Sequence, residues 1–397
     1  MLKLSSKKFF EKEMRVMFKG KEGIALILAI VFMLAITILL SAVLLLSTQE
    51  INATQLYLDG NKALYYAEAG VEYAQAKILN NESQSTVDEL NASNTDIYLK
   101  TSFNDGNVGG LDLTVTPLGS HKYRISCEVR YNKIKRKITK EIKILYPGLW
   151  DKAMASEGNI ELSVNQAQGG QLIINGNIHS NSNITSKDLI TINGNVSASG
   201  SIGDKVSVSS GYSKTPGVDR LTFPEINFDD YRARSTYVFN NESDFVNALR
   251  NNQIVTNPYE PTYVYINGDL HLRNIEGLNI SNLCITVNGD IHVNNTSEMT
   301  IDGGSKMVTF IARNLKYNND SKITFNNCLI YTENNADFTN MKADVTIQNG
   351  AVYAKNGYIG LDNIKKTFTI THGNWGYTQV SHLFDNYSVL SWSDAGV

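Results

Sequence analysis

Residues 23–46 read Gly-Ile-Ala-Leu-Ile-Leu-Ala-Ile-Val-Phe-Met-Leu-Ala-Ile-Thr-Ile-Leu-Leu-Ser-Ala-Val-Leu-Leu-Leu, a glycine and then 23 residues whose only polar side chains are Thr37 and Ser41. A helix of this length is about 34 Å long, enough to cross a hydrocarbon core of ~30 Å. Just before it, Lys3, Lys7, Lys8, Lys12, Arg15, Lys19 and Lys21 face only Glu11, Glu13 and Glu22. Residues 1–23 therefore carry +4, which leaves −7 for residues 24–397 out of the chain's formal −3. The basic flank holds the N-terminus in the cytoplasm and places everything after Leu46 outside. An acidic exported portion argues against nucleic acid as a partner.

A cleaved secretory signal has an apolar core of about 7–15 residues and then a small-x-small site. This run is longer, and no loop follows it. Gly60, Leu64, Ala67, Val71, Ala74 and Ile78 recur at spacings of three and four, one stripe of a continuing helix, and no proline falls between Ile24 and Asn80. The spacing predicts one helix over 24–80, apolar all round in its first half and amphipathic in its second. Asn80 and Asn81 end it, and residues 82–95 read as loop.

From Ile97 to Tyr146 the pattern alternates, as in Asp112–Val115, Tyr123–Val129 and Lys137–Ile144, with Gly109-Gly110 and Gly119-Ser120 as turns. This predicts a small antiparallel sheet that packs on the helix stripe and closes at Pro147-Gly148. From Leu149 an irregular repeat begins. Ile174-Asn175-Gly176-Asn177-Ile178-His179 and Ile192-Asn193-Gly194-Asn195-Val196-Ser197 lie 18 residues apart, and Ile266-Asn267-Gly268-Asp269-Leu270-His271 and Val287-Asn288-Gly289-Asp290-Ile291-His292 lie 21 apart. Short strands near a 20-residue period with Asn and Gly at the corners predict a β-solenoid of about two strands per turn. A ladder of corner asparagines would join its coils; a sandwich or jelly roll is the alternative. Residues 203–262, with four of the six prolines, read as an excursion along the side or over an end, with a short helix over 244–251. The fold class is thus α+β then all-β, with units 1–23, 24–80, 81–148 and 149–397. Cys127, Cys284 and Cys328 are expected to be buried thiols, a Cys284–Cys328 pair being the alternative if coils stack them.

Chemistry is sparse. His179, His271 and His292 each follow a repeat glycine by three residues; alternation makes them solvent-side decorations of strands rather than metal ligands. Asp229-Asp230 would point apart in an extended chain, and no GxSxG, HExxH, P-loop or CxxC occurs. No catalytic residue, metal or cofactor is assigned. The tyrosines, 20 in all, with Trp375, Tyr377 and Trp392, would either cap the final coil or offer a surface to a carbohydrate or protein ligand; capping is the expected role.

Lys21-Glu22-Gly23 before the apolar run, the unbroken helix itself and Ala67-Glu68-Ala69-Gly70 in its second half together resemble the PilX-like minor pilins of type IV pili. Lys21-Glu22-Gly23 followed by Ile24-Ala25-Leu26-Ile27 looks like a prepilin peptidase site cut after Gly23. The unbroken apolar helix is the second feature. The third is Ala67-Glu68-Ala69-Gly70, similar to the A-E-A-G element of that family's helix. The N-G corners with Ile178-His179-Ser180-Asn181 are similar to β-helical modules carried by some such pilins. The resemblance implies a structural subunit, not an enzyme, held in the cytoplasmic membrane by one span with its C-terminus outside and then built into a surface filament. Its partners would be other pilins, the assembly machinery and the peptidase. Main pilins place a Glu five residues after the cut; here that position is Leu28. The rival readings are a permanently anchored surface solenoid and, less favoured, a tethered carbohydrate-active enzyme.

Overall fold

The computed structural model describes residues 5–257, 261–294, 298–304, 307–318, 320, 322–373, 384 and 387–396. The first element, α1 (Ser5–Asn80), is one helix of 76 residues, so helix extends through the basic segment as well. The segment expected to be loop instead holds α2 (Gln84–Leu90) and the start of α3 (Ser93–Ser102), which includes Ile97. The Ser83 hydroxyl caps α2 by accepting from the Thr86 N–H, and Val87, Leu90 and Leu99 bury these short helices. Three antiparallel strands follow, β1 (Val108–Gly119), β2 (Lys122–Tyr131) and β3 (Ile134–Ile144). Gly109-Gly110 is not a turn: it lies inside β1, where the register shifts against β2. The stripe on α1 meets this sheet, with Ala63, Ala67, Val71, Ala74 and Ile78 packed against Ile125, Cys127, Val129 and Ile138.

Beyond Pro147-Gly148 the chain lays down short parallel strands. The first coil is β4 (Lys152–Ser156), β5 (Ile160–Val164) and β6 (Gln171–Asn175), and the second is β7 (Asn177–Ser180), β8 (Ile184–Ser186) and β9 (Ile190–Asn193). Next come β10 (Val196–Ala198), β11 (Val206–Val208) and β12 (Lys214–Pro216). After α4 (Phe228–Arg234), β13 (Tyr237–Phe239) and α5 (Glu242–Arg250), the coils resume with β14 (Thr262–Ile266), β15 (Leu270–His271), β16 (Leu283–Asn294), β17 (Met299–Asp302), β18 (Val308–Asn318) and β19 (Ile323–Asn326). The last two are β20 (Cys328–Thr332), β21 (Ala336–Asp337) and β22 (Val345–Gln348), then β23 (Ala351–Ala354), β24 (Ile359–Ile364) and β25 (Thr367–Thr371). Each complete coil thus has three faces, built by three strands in most coils and by two where β16 and β18 run round a corner to serve two faces. This mostly parallel stack is compatible with the expected solenoid.

Spatial order differs from chain order. One face runs β13–β14–β16–β18–β20–β23–β4–β7–β10–β12 and another runs β17–β19–β22–β25–β6–β9–β11. The chain enters the stack in the middle, proceeds to β12, crosses back outside through residues 217–236, and restarts at the far end. It then returns coil by coil until the last coil seats on the first, with Tyr353 opposite Ala155, Leu361 opposite Leu162 and Phe368 opposite Leu172. Coil strands persist to Pro216, so the crossing begins later than residue 203.

Alternation explains the coils: in β22 and β25 the buried Val345, Ile347, Phe368 and Ile370 alternate with outward Thr and Gln. The corners need Gly or Asn. Gly176 has φ +145°, and a Cβ on Gly194 in the next coil would lie 2.1 Å from the Gly176 carbonyl oxygen. Asn327 and Asn349 take φ near +50°, the left-handed region that asparagine tolerates, at equivalent corners. Asparagine side chains form the expected ladder: Asn349 Nδ2 donates to Asn327 Oδ1, Asn193 Nδ2 to Asn175 Oδ1 at 2.9 Å, and Asn363 Nδ2 to Asn340 Oδ1 at 2.6 Å. Asn165 Nδ2 donates to Asn363 Oδ1 at 3.2 Å, so the ladder bridges the seam between first and last coils.

The crossing segment covers the outside of one face. Phe223, Ile226, Phe228 and Tyr231 pack on Ala155, Ile311, Leu329, Tyr331 and Tyr353, and the Tyr331 hydroxyl donates to the Pro224 carbonyl at 2.7 Å. The strands beneath are buried on both sides and so lose alternation, β20 and β23 throughout. At the far end α5 inserts Phe245, Val246 and Leu249 into the stack core. The final strand, β26 (Tyr387–Gly396), leaves the stack and pairs antiparallel with β3. The stack is therefore inserted between two strands of the small sheet, whose order is β1–β2–β3–β26. Trp392 lies on β26 opposite Lys140 and is 54% exposed, so it caps no coil; Trp375 and Tyr377 fall outside the described residues. All three cysteines are buried free thiols. Cys284 and Cys328 belong to different clusters and do not pair.

Candidate functional site

The apolar half of α1 stands clear of the rest of the molecule. Ile24, Leu28, Met33 and Leu46 are all more than half exposed, and no other element covers residues 24–46. By length and composition this helix is able to cross a membrane. Its two polar side chains bond their own backbone: Thr37 Oγ1 donates to the Met33 carbonyl at 2.6 Å and Ser41 Oγ to the Thr37 carbonyl at 2.8 Å. Neither hydroxyl proton then needs water, the condition a lipid or protein interior imposes. Gly23 and Ile24 lie inside the helix, with no break at the junction. Leu28 is apolar among apolar neighbours and leaves no carboxylate unpaired in such a setting.

The second half of the helix is the core of the head. In Ala67-Glu68-Ala69-Gly70, Ala67 and Gly70 are buried, Glu68 is half-buried and Ala69 is exposed. A Cβ at Gly70 would fall 2.5 Å from the Cys127 sulfur on β2. Glycine is thus the residue that lets helix and sheet approach here, and burial pushes the Cys127 thiol up to about 12. Polar contacts frame the stripe. Lys140 Nζ reaches Glu72 Oε1 at 2.8 Å, Lys62 Nζ donates to the Tyr131 hydroxyl at 2.9 Å, and the Tyr66 and Tyr131 hydroxyls each donate to Asp105 Oδ2 at 3.0 Å. Asp59 accepts from Gln55 and Asn132 at 2.8 and 3.0 Å. The strand partners Cys127, Tyr131 and Lys140 escape sequence reading, because nothing local marks which strand position meets which helix turn.

The histidines separate. His179 is 1% exposed rather than solvent-side. Its ring meets Ser197 Oγ at 2.9 Å and Asn181 Oδ1 at 2.8 Å, and burial holds its pKa below the ordinary value. Asn181 is itself bonded to the Leu221 backbone and Arg220 pairs with Glu157, so the crossing segment covers this position. His271 and His292 occupy adjacent coils and stack with ring centroids 4.7 Å apart. Asp269, Asp290 and His292 bring ligand atoms within 4.8 Å of one another. Lys316 and Asn314 already bind the Asp290 carboxylate, and Asp269 accepts from the Asp290 N–H at 2.8 Å. Lys316 thus offsets one of the two carboxylates, and His292 Nε2 lies 3.5 Å from Asp269 Oδ2. Asp229 and Asp230 sit not in extended chain but in the first turn of α4, where Asn227 caps both of their N–H groups.

No protein-family model matches the chain, and no curated protein matches its sequence. Among solved structures it is similar to the competence-associated pilin ComZ from Thermus thermophilus, with 9% identity over 74% of this chain and 86% of that one and a TM-score of 0.22.

Proposed function

We propose that the chain is a PilX-like minor pilin, a structural subunit of a type IV pilus or related filament with no catalytic role. Prepilin peptidase cuts after Gly23. The apolar helix holds the subunit in the cytoplasmic membrane and then enters the filament among other pilin helices, with the stack, read as a β-solenoid, displayed outside. The observation that carries this reading is the division of α1: residues 24–46 are uncovered and apolar, while the turns from Gly60 to Ile78 form the head's core. A helix that is both membrane-compatible and rigidly fused to a head can move from bilayer to filament without refolding.

Intact-mass measurement of the protein from its own membrane is expected to give a chain beginning at Ile24. A chain beginning at Met1, or cut beyond Leu46, overturns the proposal. Replacing Gly23 by a bulky residue is expected to abolish that cut. Leu28 favours a second reading, a permanently anchored surface stack, since it lacks the carboxylate that main pilins place there. Filaments sheared from cells separate the two, because an anchored stack stays with the membrane.

A further inference from the structure

The three faces of the stack differ in what they present. One is covered by the crossing segment. A second carries ion pairs, among them Lys187–Asp362 at 2.8 Å and the Lys316–Asp290 contact. The third, β17–β19–β22–β25–β6–β9–β11, is covered by no described element and bears two outward files of uncharged side chains. In the first file Thr300, Thr324, Thr346 and Thr369 stand opposite one another in strict register on four adjacent strands. Ile173 follows, and Thr191 and Ser207 resume the file. In the second, Asn326, Gln348, Thr371, Asn175 and Asn193 stand in register beyond Asp302. Each step is one strand spacing, about 4.8 Å, so the first file runs roughly 29 Å and the second, from Asn326 to Asn193, roughly 19 Å.

The hydroxyls of Thr300, Thr324, Thr346 and Thr369 make no hydrogen bond to any described residue, whereas Thr191 meets Ser207 Oγ at 2.9 Å. Charges stand at the borders, where Glu298 pairs with Lys322 at 2.5 Å and Asp344 accepts from the Thr367 N–H. Buried Val, Ile and Phe alternate with the threonines and anchor the strands from beneath. We propose that this face binds a neutral polysaccharide laid across the strands. A chain of repeating hydroxyls finds periodic donors and acceptors in the four unbonded threonines, while Asn193, Asn175 and Thr371 of the second file are bonded to one another, and the threonine methyls offer apolar contact to sugar rings. The uncharged centre imposes no ionic requirement, which separates such a ligand from an acidic polymer. The inference rests on the functional proposal only in placing the stack outside the cell.

The test is co-sedimentation of the full-length protein in detergent with microcrystalline cellulose and with chitin. Binding to at least one is expected. The T324K/T346K double variant is expected to lose affinity roughly tenfold or more, about 1.4 kcal/mol, at unchanged melting temperature, and Glu161→Lys on the charged face to bind as wild type. T324V/T346V, which removes the hydroxyls and keeps the β-branched shape, is expected to bind more weakly and serves if the lysine variant misfolds. Sedimentation with neither polymer, or binding that none of these threonine changes alters, overturns the inference. So does self-association that the lysines abolish in the absence of sugar binding, which would assign the face to a second copy. A native chain beginning at Met1 removes the filament reading and leaves this result standing.

Discussion

Replacing Gly70 by alanine would place a methyl carbon 2.5 Å from the Cys127 sulfur, with the fully buried Cys127 at the centre of the head. The cost is expected to be about 1–3 kcal/mol, read as a lower urea midpoint, and Cys127→Ala in the same chain should recover much of it, because the offending sulfur is gone. The thiols themselves respond to alkali. Burial pushes Cys127 and Cys284 from an ordinary 9.0 to about 12. Between those limits the unfolded chain releases thiol protons that the folded chain keeps, so this contribution to stability is intact below pH 9 and declines as the pH rises toward 12. Thermal melting across that window, compared with a Cys127→Ala/Cys284→Ala chain, should show a shallower alkaline loss in the variant. At this scale the sequence discloses the small residue but not what it accommodates: Gly70 is visible on a helical stripe, while Cys127 joins it only through the docking of strand on helix.

Elements were legible where periodicity is long. The helix over 24–80, the three head strands and the N-G corners announce themselves because many residues repeat one spacing. The helices α2 and α3 do not, since seven and ten residues with few apolar positions give almost no period, and burial of Val87, Leu90 and Leu99 against the sheet decides their conformation. Double-sided burial likewise erases alternation in β20 and β23, which hides a strand face from a period-2 reading. The ladder is testable as an element. Asn327 combines φ +50° with donation from Nδ2 to the Gly304 carbonyl at 2.9 Å. Asn327→Ala is expected to cost roughly 1–3 kcal/mol, and Asn327→Gly less, because glycine restores the backbone conformation. Chemical denaturation of both variants measures the difference. At the open end of the stack, β12 is short, ends in Pro216, and carries Lys214, whose Nζ donates to the Gly203 carbonyl at 2.9 Å; such an edge resists pairing with another chain.

The order of the coils was not legible, because strand pairing at a separation of nearly 200 residues leaves no local mark. It has a large effect on the whole molecule. The first coil remains half-paired until the last is made, so a chain ending at residue 350 lacks the partner of β4, β5 and β6. Such a truncation is expected to give an aggregating, protease-sensitive product, and refolding of the full chain is expected to be slow, since distant pairings must close before they stabilise anything. Limited proteolysis and stopped-flow refolding check both outcomes.

The insertion of the stack between β3 and β26 bears on how it is carried. Its exit and entry lie side by side, with Tyr387 opposite Ile144. A body held by a single tether swivels freely; one held by two adjacent strands can nod about a hinge but cannot spin. The threonine-bearing face therefore keeps a constant azimuth about α1. In any helical array of these subunits that face would recur at the angular step of the array itself.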